Sequence, residues 1–330
     1  MAPRDSAALV SIVIPCFNQG CYVGEAIESA RGQSHRPLEI VVVDDGSRDD
    51  SATVVAAYPD VRLIRQTHRG LIAARNAGLA AARGEYLIFL DADDCLTSDA
   101  AAIGVALLDE RRDAALAAGR CLLMDHSRKP LPTKPVPPVD RDFYAALLAG
   151  NYIWTPGAAV MRRDAVIEAG GYPDGHAGSA DYALYLRLAR AHAFVCHDRP
   201  VVWYRQHAGN MSRDGVAMLD ATLAVLDEER PHVPIEWTQA FHQGRRAWIA
   251  FYSDRIIEDI RAAWRGGNVA RAVRHGLALA RRNPAACARQ LGRKIMRAVR
   301  RLRPRVRSRA RAPRVLPAAG AQTESPPLPQ

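Results

Sequence analysis

At 330 residues the chain exceeds the usual single-domain size of roughly 100–200, so a main domain with an appendage is expected. Its 48% hydrophobic and 24% charged residues exclude wholesale disorder and a collagen-like fibre. The net charge of +10 is local: twelve of the 45 basic residues fall between Arg289 and Arg314, where there is no acid, so the other 33 nearly balance the 35 acids and the body needs no polyanionic partner.

Short apolar runs at residues 10–14, 39–43, 61–65 and 86–90 read as strands, and residues 22–31, 50–58 and 71–82 between them carry helical spacing. Gly32 and Gly84 stand where the helices should stop. Such a βαβ series predicts a mostly parallel sheet covered on both faces, with ligands beyond the carboxyl ends of its strands. A helix over 99–113 and a strand near 115–123 follow, and residues 129–139, with five prolines in eleven positions, read as a loop or lid. A helix over 141–149, a strand over 158–161, helices over 164–169 and 181–191 and a strand over 201–204 complete a first domain ending near Asp214. The pattern from 217 to 282 is helical, divided at Gly266 and Gly267; a further helix over 289–303 is stopped by Pro304, and residues 305–330 are expected to be disordered. The expected domains are therefore 1–214, 215–303 and 304–330, with no internal repeat.

Six cysteines without paired or finger spacing argue against a disulfide framework or structural zinc and favour a reducing cytoplasm. The first nine residues do not read as a signal peptide, and no run approaches the roughly 18 apolar residues of a membrane span. The expected location is cytoplasmic and peripheral on the inner face of the membrane.

Chemistry is expected directly after the strands. Asp44-Asp45-Gly46-Ser47 follows the second strand and Asp91-Ala92-Asp93-Asp94 the fourth. In a parallel sheet both clusters reach one edge, where several carboxylates repel unless a cation or hydrogen-bond donors compensate. Mg²⁺ or Mn²⁺ suits such oxygen ligands and commonly bridges carboxylates to a diphosphate. One cluster alone would read as ordinary turn and cap residues; two at equivalent positions point to a site. Between them lies Gly70-Leu71-Ile72-Ala73-Ala74-Arg75-Asn76-Ala77-Gly78, whose Arg75 has the planar fork to reach a diphosphate.

In order and spacing, these motifs with Ser11-Ile12-Val13-Ile14-Pro15-Cys16-Phe17-Asn18 resemble the family 2 glycosyltransferases of the GT-A fold. Pro156-Gly157-Ala158, Gly170-Gly171-Tyr172, Asp181-Tyr182-Ala183 and Tyr204-Arg205-Gln206-His207-Ala208-Gly209-Asn210-Met211-Ser212 continue the match, so that it covers roughly residues 9–214. The resemblance implies a nucleotide-sugar donor, with Asp44 and Asp45 at the nucleobase, Pro15 lining the nucleoside pocket and Arg75 supporting the nucleotide. It implies a DxD motif in which Asp91 lies at the ribose and Asp93 holds the metal, His207 as a late metal or diphosphate contact, and Asp181 as the base that deprotonates the acceptor hydroxyl in one inverting displacement. Family members commonly carry Glu-Asp where this chain has Ala180-Asp181.

Beyond the resemblance, Leu291, Ile295, Val299 and Leu302 recur at helical spacing among basic residues, which reads as an amphipathic helix for an anionic membrane surface through Arg289 to Arg314; nucleic acid has no supporting motif. The leading expectation is a metal-dependent, inverting glycosyltransferase with a glycan or lipid-linked acceptor, active in cell-surface polysaccharide synthesis. A dinucleotide oxidoreductase fails because Pro15-Cys16-Phe17-Asn18 stands where GxGxxG should follow the first strand. A catalytically silent nucleotide-sugar-binding scaffold is the alternative that Ala180 leaves open.

Overall fold

The computed structural model describes residues 7–134, 137–176 and 178–288. Four strands open the chain: β1 (Val10–Cys16), β2 (Leu38–Asp44), β3 (Val61–Arg65) and β4 (Tyr86–Phe89). Helices α1 (Gly20–Arg31), α2 (Ser51–Ala56) and α3 (Leu71–Ala81) connect them. β1 and β4 are buried along their whole length, which is what a strand covered on both faces requires. β2 shows the period of two directly: Ile40 and Val42 enter the main core, while Val41 and Val43 pack with Ala74 of α3 on the other face.

The chain continues through β5 (Cys95–Leu96), α4 (Ala100–Glu110), β6 (Ala114–Asp125), β7 (Pro130–Leu131), α5 (Phe143–Ala149), β8 (Ala159–Arg162), α6 (Arg163–Glu168), α7 (Ala180–Ala191) and β9 (Ala193–Gln206). Among the described residues one nine-stranded sheet runs β3-β2-β1-β4-β8-β6-β9-β5, with β7 pairing β6. Its first four strands are parallel, as the alternating pattern predicts. β8 then runs antiparallel to β4 and β6, while β6 and β9 are parallel to each other. The sheet is thus mixed, its parallel half carrying the strand ends where the acids fall. The predicted strand near 115–123 is β6 to within two residues at either end, whereas the one at 201–204 is the visible part of the much longer β9, and the pairing of the two passes through register shifts between Ala114 and Cys121. The start of the proline-rich stretch folds as β7 rather than as loop.

Three helices follow: α8 (Gly215–Glu229), α9 (Thr238–Arg265) and α10 (Val269–Arg282). The Asp214 carboxylate caps α8 by accepting from the amides of Val216 and Ala217. The helical reading of 217–282 holds except at 230–237, where two short 3-10 turns replace it because Pro231 and Pro234 cannot continue an α-helix. Residues 7–286 belong to one unit of structure. The predicted helix over 289–303 and the disorder over 305–330 lie outside the described residues. Among those described, no helix is long and apolar enough to cross a membrane.

The helical region meets the sheet domain where Gly244 of α9 crosses α5: a Cβ there would collide with the carbonyl oxygen of Leu148. Backbone cannot yield as a side-chain tip does. Gly244→Ala is therefore expected to destabilise the protein by about 1–3 kcal/mol through overpacking, read as a lowered urea midpoint at unchanged slope; an unaltered midpoint would mean that α9 does not rest on α5 so closely.

Candidate active site

The parallel register brings both acidic clusters to one edge. Cys16 pairs with Asp44, and the Asp45 amide donates to the Cys16 carbonyl at 2.8 Å. One strand over, the Leu90 amide donates to Val13, so Asp91 emerges beside the end of β1. Pro15 is buried in the last turn of pleat between them, opposite Val43.

Asp44 and Asp45 are both buried and serve the backbone first. Asp44 accepts from the Ser47 amide at 3.0 Å and pairs with Arg65 at 3.4 Å. Asp45 accepts from Gln66 Nε2 at 2.6 Å and from the amides of Arg69 and Gly70 at 2.8 Å each, with His68 Nδ1 also 2.8 Å from its carboxylate. Burial alone would raise its pKa; these donors outweigh it and hold the carboxyl below the usual range. The strap between β3 and α3 is thus tied to the end of β2. On its outer side His68 stacks on the exposed ring of Phe17, centroids 4.1 Å apart.

The second cluster is a tight turn, closed by the Asp94 amide donating to the Asp91 carbonyl at 2.9 Å. Asp94 faces inward, fully buried, accepting from the Arg205 amide at 2.9 Å and Thr155 Oγ1 at 3.0 Å. Burial, then the charges of Asp93 and Asp91, push its carboxyl well above the normal range. Asp93 stands with its Oδ2 2.8 Å from His207 Nε2; burial and the neighbouring Asp91 raise it too, against the hydrogen bond from His207. Asp91 pairs with Arg75, whose Nη2 donates to Oδ1 at 2.7 Å.

Arg75 is only 3% exposed, and its guanidinium lies over the Tyr172 ring, 5.0 Å from the centroid. Its fork is turned into the protein, onto Asp91. Asn76 fixes the tyrosine: its amide donates to the Tyr172 carbonyl and accepts from the Tyr172 amide, both at 2.9 Å. Asp181, second residue of α7, belongs to the same cluster. Burial and the Asp91 charge raise its pKa, while the Arg75 charge opposes them. Ala180 before it is completely buried in the core. The structure therefore gathers Asp91, Asp93, His207, Arg75 and Asp181 on one side of the edge, and Pro15, Asp44 and Asp45 on the other.

Arg205 was given no role by the sequence reading. It is completely buried, and its side chain donates to the Asp93 carbonyl (Nε, 2.7 Å), the His126 carbonyl (Nη1, 3.0 Å) and Glu25 Oε2 (Nη2, 2.6 Å), beneath the Tyr22 ring at 4.8 Å. One side chain ties the acidic turn to β6 and α1. The signal available was an arginine two residues before His207 within an apolar strand, where a buried charge must be paired.

The donor set fits a hard divalent cation in part. Asp94 is spent internally, leaving Asp91 and Asp93 with the imidazole of His207 at the surface of the turn. Among the described residues no group of three or more His, Cys, Asp or Glu stands at metal-holding spacing, so ligand oxygens or water would have to complete the shell, as is usual for Mg²⁺. Burial first and the Asp91 charge second raise the Asp93 carboxyl, and a bound cation would oppose both.

Comparison with known proteins finds glycosyltransferases both by sequence and by fold. Residues 11–170 match the family model described as glycosyl transferase family 2. An uncharacterized glycosyltransferase of Haemophilus influenzae is 40% identical over 96 residues, which are 28% of this chain and 38% of that protein. A chondroitin synthase of Escherichia coli is 29% identical over 213 residues, 58% of this chain and 29% of that one. The chain thus spans well under half the length of these relatives. Among solved structures, the Pyrobaculum calidifontis mannosyltransferase PcManGT in complex with GDP-Man and Mn²⁺ aligns over 91% of this chain and 90% of its own, with a TM-score of 0.56 at 19% identity. Staphylococcus aureus TarS 1-349 in complex with UDP-GlcNAc aligns over 83% and 92%, with a TM-score of 0.53 at 15% identity. The fold is that of the GT-A glycosyltransferases.

Asp45 makes the strap titratable. Its folded pKa is lowered, so its contribution is present above the ordinary value of 3.8 and is lost as pH falls through the folded value. Asp45→Asn, which keeps one acceptor oxygen, is expected to cost about 1–3 kcal/mol at neutral pH and to flatten the acid limb of the stability curve, as followed by thermal melts from pH 7 to 3.

Proposed function

We propose that this chain, which carries a glycosyl transferase family 2 domain over residues 11–170, moves a sugar from a nucleotide-sugar donor to a hydroxyl of a glycan or lipid-linked acceptor, with metal dependence and inversion. The observation that carries the proposal is the gathering of Asp91 and Asp181 around the buried Arg75, with Asp93 in the same acidic turn, at the carboxyl edge of the parallel strands. The complexes of TarS with UDP-GlcNAc and of PcManGT with GDP-Man support a sugar nucleotide as donor class.

In this reading the nucleoside sits between Pro15 and the Asp44–Asp45 edge. Phe17, exposed and stacked on His68, offers the nucleobase an aromatic face. Asp91, Asp93 and His207 would hold Mg²⁺ or Mn²⁺, which when bound neutralises charge developing on the departing diphosphate. Arg75 serves the nucleotide indirectly, by orienting Asp91 through its fork and by offsetting the acids beside it. Asp181 accepts the proton of the acceptor hydroxyl as that oxygen attacks the anomeric carbon from the face opposite the leaving group. Burial raises its pKa, against the Arg75 charge, which makes it a stronger base than an exposed aspartate. The acid-free stretch from Arg289 to Arg314, outside the described residues, would draw the enzyme to an anionic membrane on its cytoplasmic side, where a lipid-linked acceptor of polysaccharide synthesis is met.

Asp93→Asn is expected to abolish Mn²⁺-dependent binding of donor while leaving the melting curve close to wild type. Isothermal calorimetry with UDP-, GDP- and dTDP-sugars, with and without chelator, measures it; equal affinity in all conditions would remove Asp93 as a metal ligand.

For the base, Asp181→Asn should reduce transfer by about 10²–10⁴-fold with donor affinity retained. In the wild type, transfer should fall as pH drops through the Asp181 pKa, because only the carboxylate accepts a proton; burial places that limb above the ordinary 3.8. The Asn variant should lack the limb, and NMR of the product should show an inverted anomeric centre. Donor binding with neither transfer nor hydrolysis for any sugar nucleotide would favour the silent scaffold instead.

A further inference from the structure

The α9–α10 hairpin presents a face that nothing in the described protein covers. Trp264, near the end of α9, is 65% exposed, and on α10 Val269, Val273 and Leu277 are 51%, 52% and 58% exposed. At intervals of four residues these three form one row along the helix. A different row, Ala272, His275 and Leu279, is buried against the rest of the chain. Folding therefore uses one apolar row of α10 and leaves a second in solvent.

The charges beside that row are all of one sign. Arg274 and Arg281, three residues before and four after Leu277, make no ion pair with an acid among the described residues, whereas Arg282 turns away to Asp220. In the sequence there is no Asp or Glu between Asp259 and Glu324. Pairing this face with a second copy of itself would bring two acid-free arginine borders together, a repulsive arrangement. An apolar row with a tryptophan and an arginine flank is instead the complement of a lipid surface: arginines meet anionic headgroups, aliphatic groups enter the acyl boundary, and tryptophan settles at the level between them.

We propose that the outer face of the α9–α10 hairpin is a docking surface for an anionic lipid bilayer, entered by Trp264, Val269, Val273 and Leu277 and flanked by Arg274 and Arg281. It shares a partner with the proposed tail contact but none of its residues, and the two separate by experiment. Because the substituted side chains are more than half exposed, Val273→Asp with Leu277→Asp should leave the thermal midpoint unchanged.

The test is sedimentation of the full chain with phosphatidylglycerol or phosphatidylcholine vesicles at low and high salt. Wild type should bind the anionic vesicles preferentially. The Val273→Asp, Leu277→Asp double variant should partition about tenfold less or weaker, and this loss should persist at high salt because apolar insertion is not screened. Arg274→Gln with Arg281→Gln should lose binding mainly at low salt. Retained binding by the double variant, with loss on Arg297→Gln, Arg300→Gln and Arg301→Gln, would overturn the proposal in favour of the tail alone. Failure of wild type to bind phosphatidylglycerol, or a wild-type dimer that the double variant dissociates, would overturn it as well. Donor affinity, measured without vesicles, reports on the catalytic reading alone.

Discussion

Three carboxylates in four residues, Asp91, Asp93 and Asp94, have to be held in one turn against their own repulsion. Two buried arginines from distant parts of the chain make this possible. Arg75 approaches from α3 and pairs with Asp91; Arg205 approaches from β9, giving its amide to Asp94 and its guanidinium to the Asp93 carbonyl. A buried guanidinium needs partners as much as a buried carboxylate does, and Glu25 and the His126 carbonyl occupy what remains of the Arg205 fork. The acidic turn therefore exists only when α1, α3, β4, β6 and β9 are all in place. This is a reason for the sheet to extend past its parallel half: without β9 beside β6, Asp94 would be a buried charge with Thr155 as its remaining side-chain donor.

The helical region takes part in the same arrangement through α7. Ser179, immediately before α7, shares a 2.9 Å hydrogen bond with Thr222 of α8, and Tyr144 of α5 donates to the buried Glu229 at 2.7 Å. Tyr182, one residue after Asp181, donates to the Leu147 carbonyl at 2.7 Å. These bonds fix both sides of the helix start on which Asp181 sits. The sequence pattern presents residues 215–282 as a run of helices after the sheet; the contacts show them gripping the element that aims the proposed base.

What could be read in advance follows from local physics. The first four strands announce themselves by short apolar runs, and acids directly after two of them must meet at one edge if the strands are parallel. The length of β9 is hidden because its first half carries His197, Asp198, Arg199 and Pro200 and buries only Phe194 fully, so only 201–204 has a strand's appearance. The inward turn of Arg75 was equally hidden. A helix arginine beside an acidic cleft looks the same in sequence whether its fork faces a ligand or a neighbour, and only the cage of Tyr172 and Asn76 decides. Asp45 illustrates the converse: an aspartate at a strand end is an ordinary turn residue, and here it is one, organising a strap as well as lining the proposed nucleotide edge. The break at 230–237 is written in Pro231 and Pro234, within helical periodicity that continues on both sides of them.

The shared position of Arg75 also limits which residues can stand there. It lies within electrostatic reach of Asp91 and Asp181 together, and the Tyr172 face supports the plane of its guanidinium. A lysine would bring the same charge but neither the fork that meets Asp91 nor the flat group that stacks on tyrosine. Its ammonium, losing hydration in this closed setting, would be readier to release its proton. That would leave Asp181 without the cation that opposes its burial and the Asp91 charge, raising it further and disfavouring the carboxylate form that the proposed base needs. Compensation of the acidic turn and ionisation of the base on α7 thus depend on one side chain, which is why a guanidinium rather than any positive charge is suited to this place.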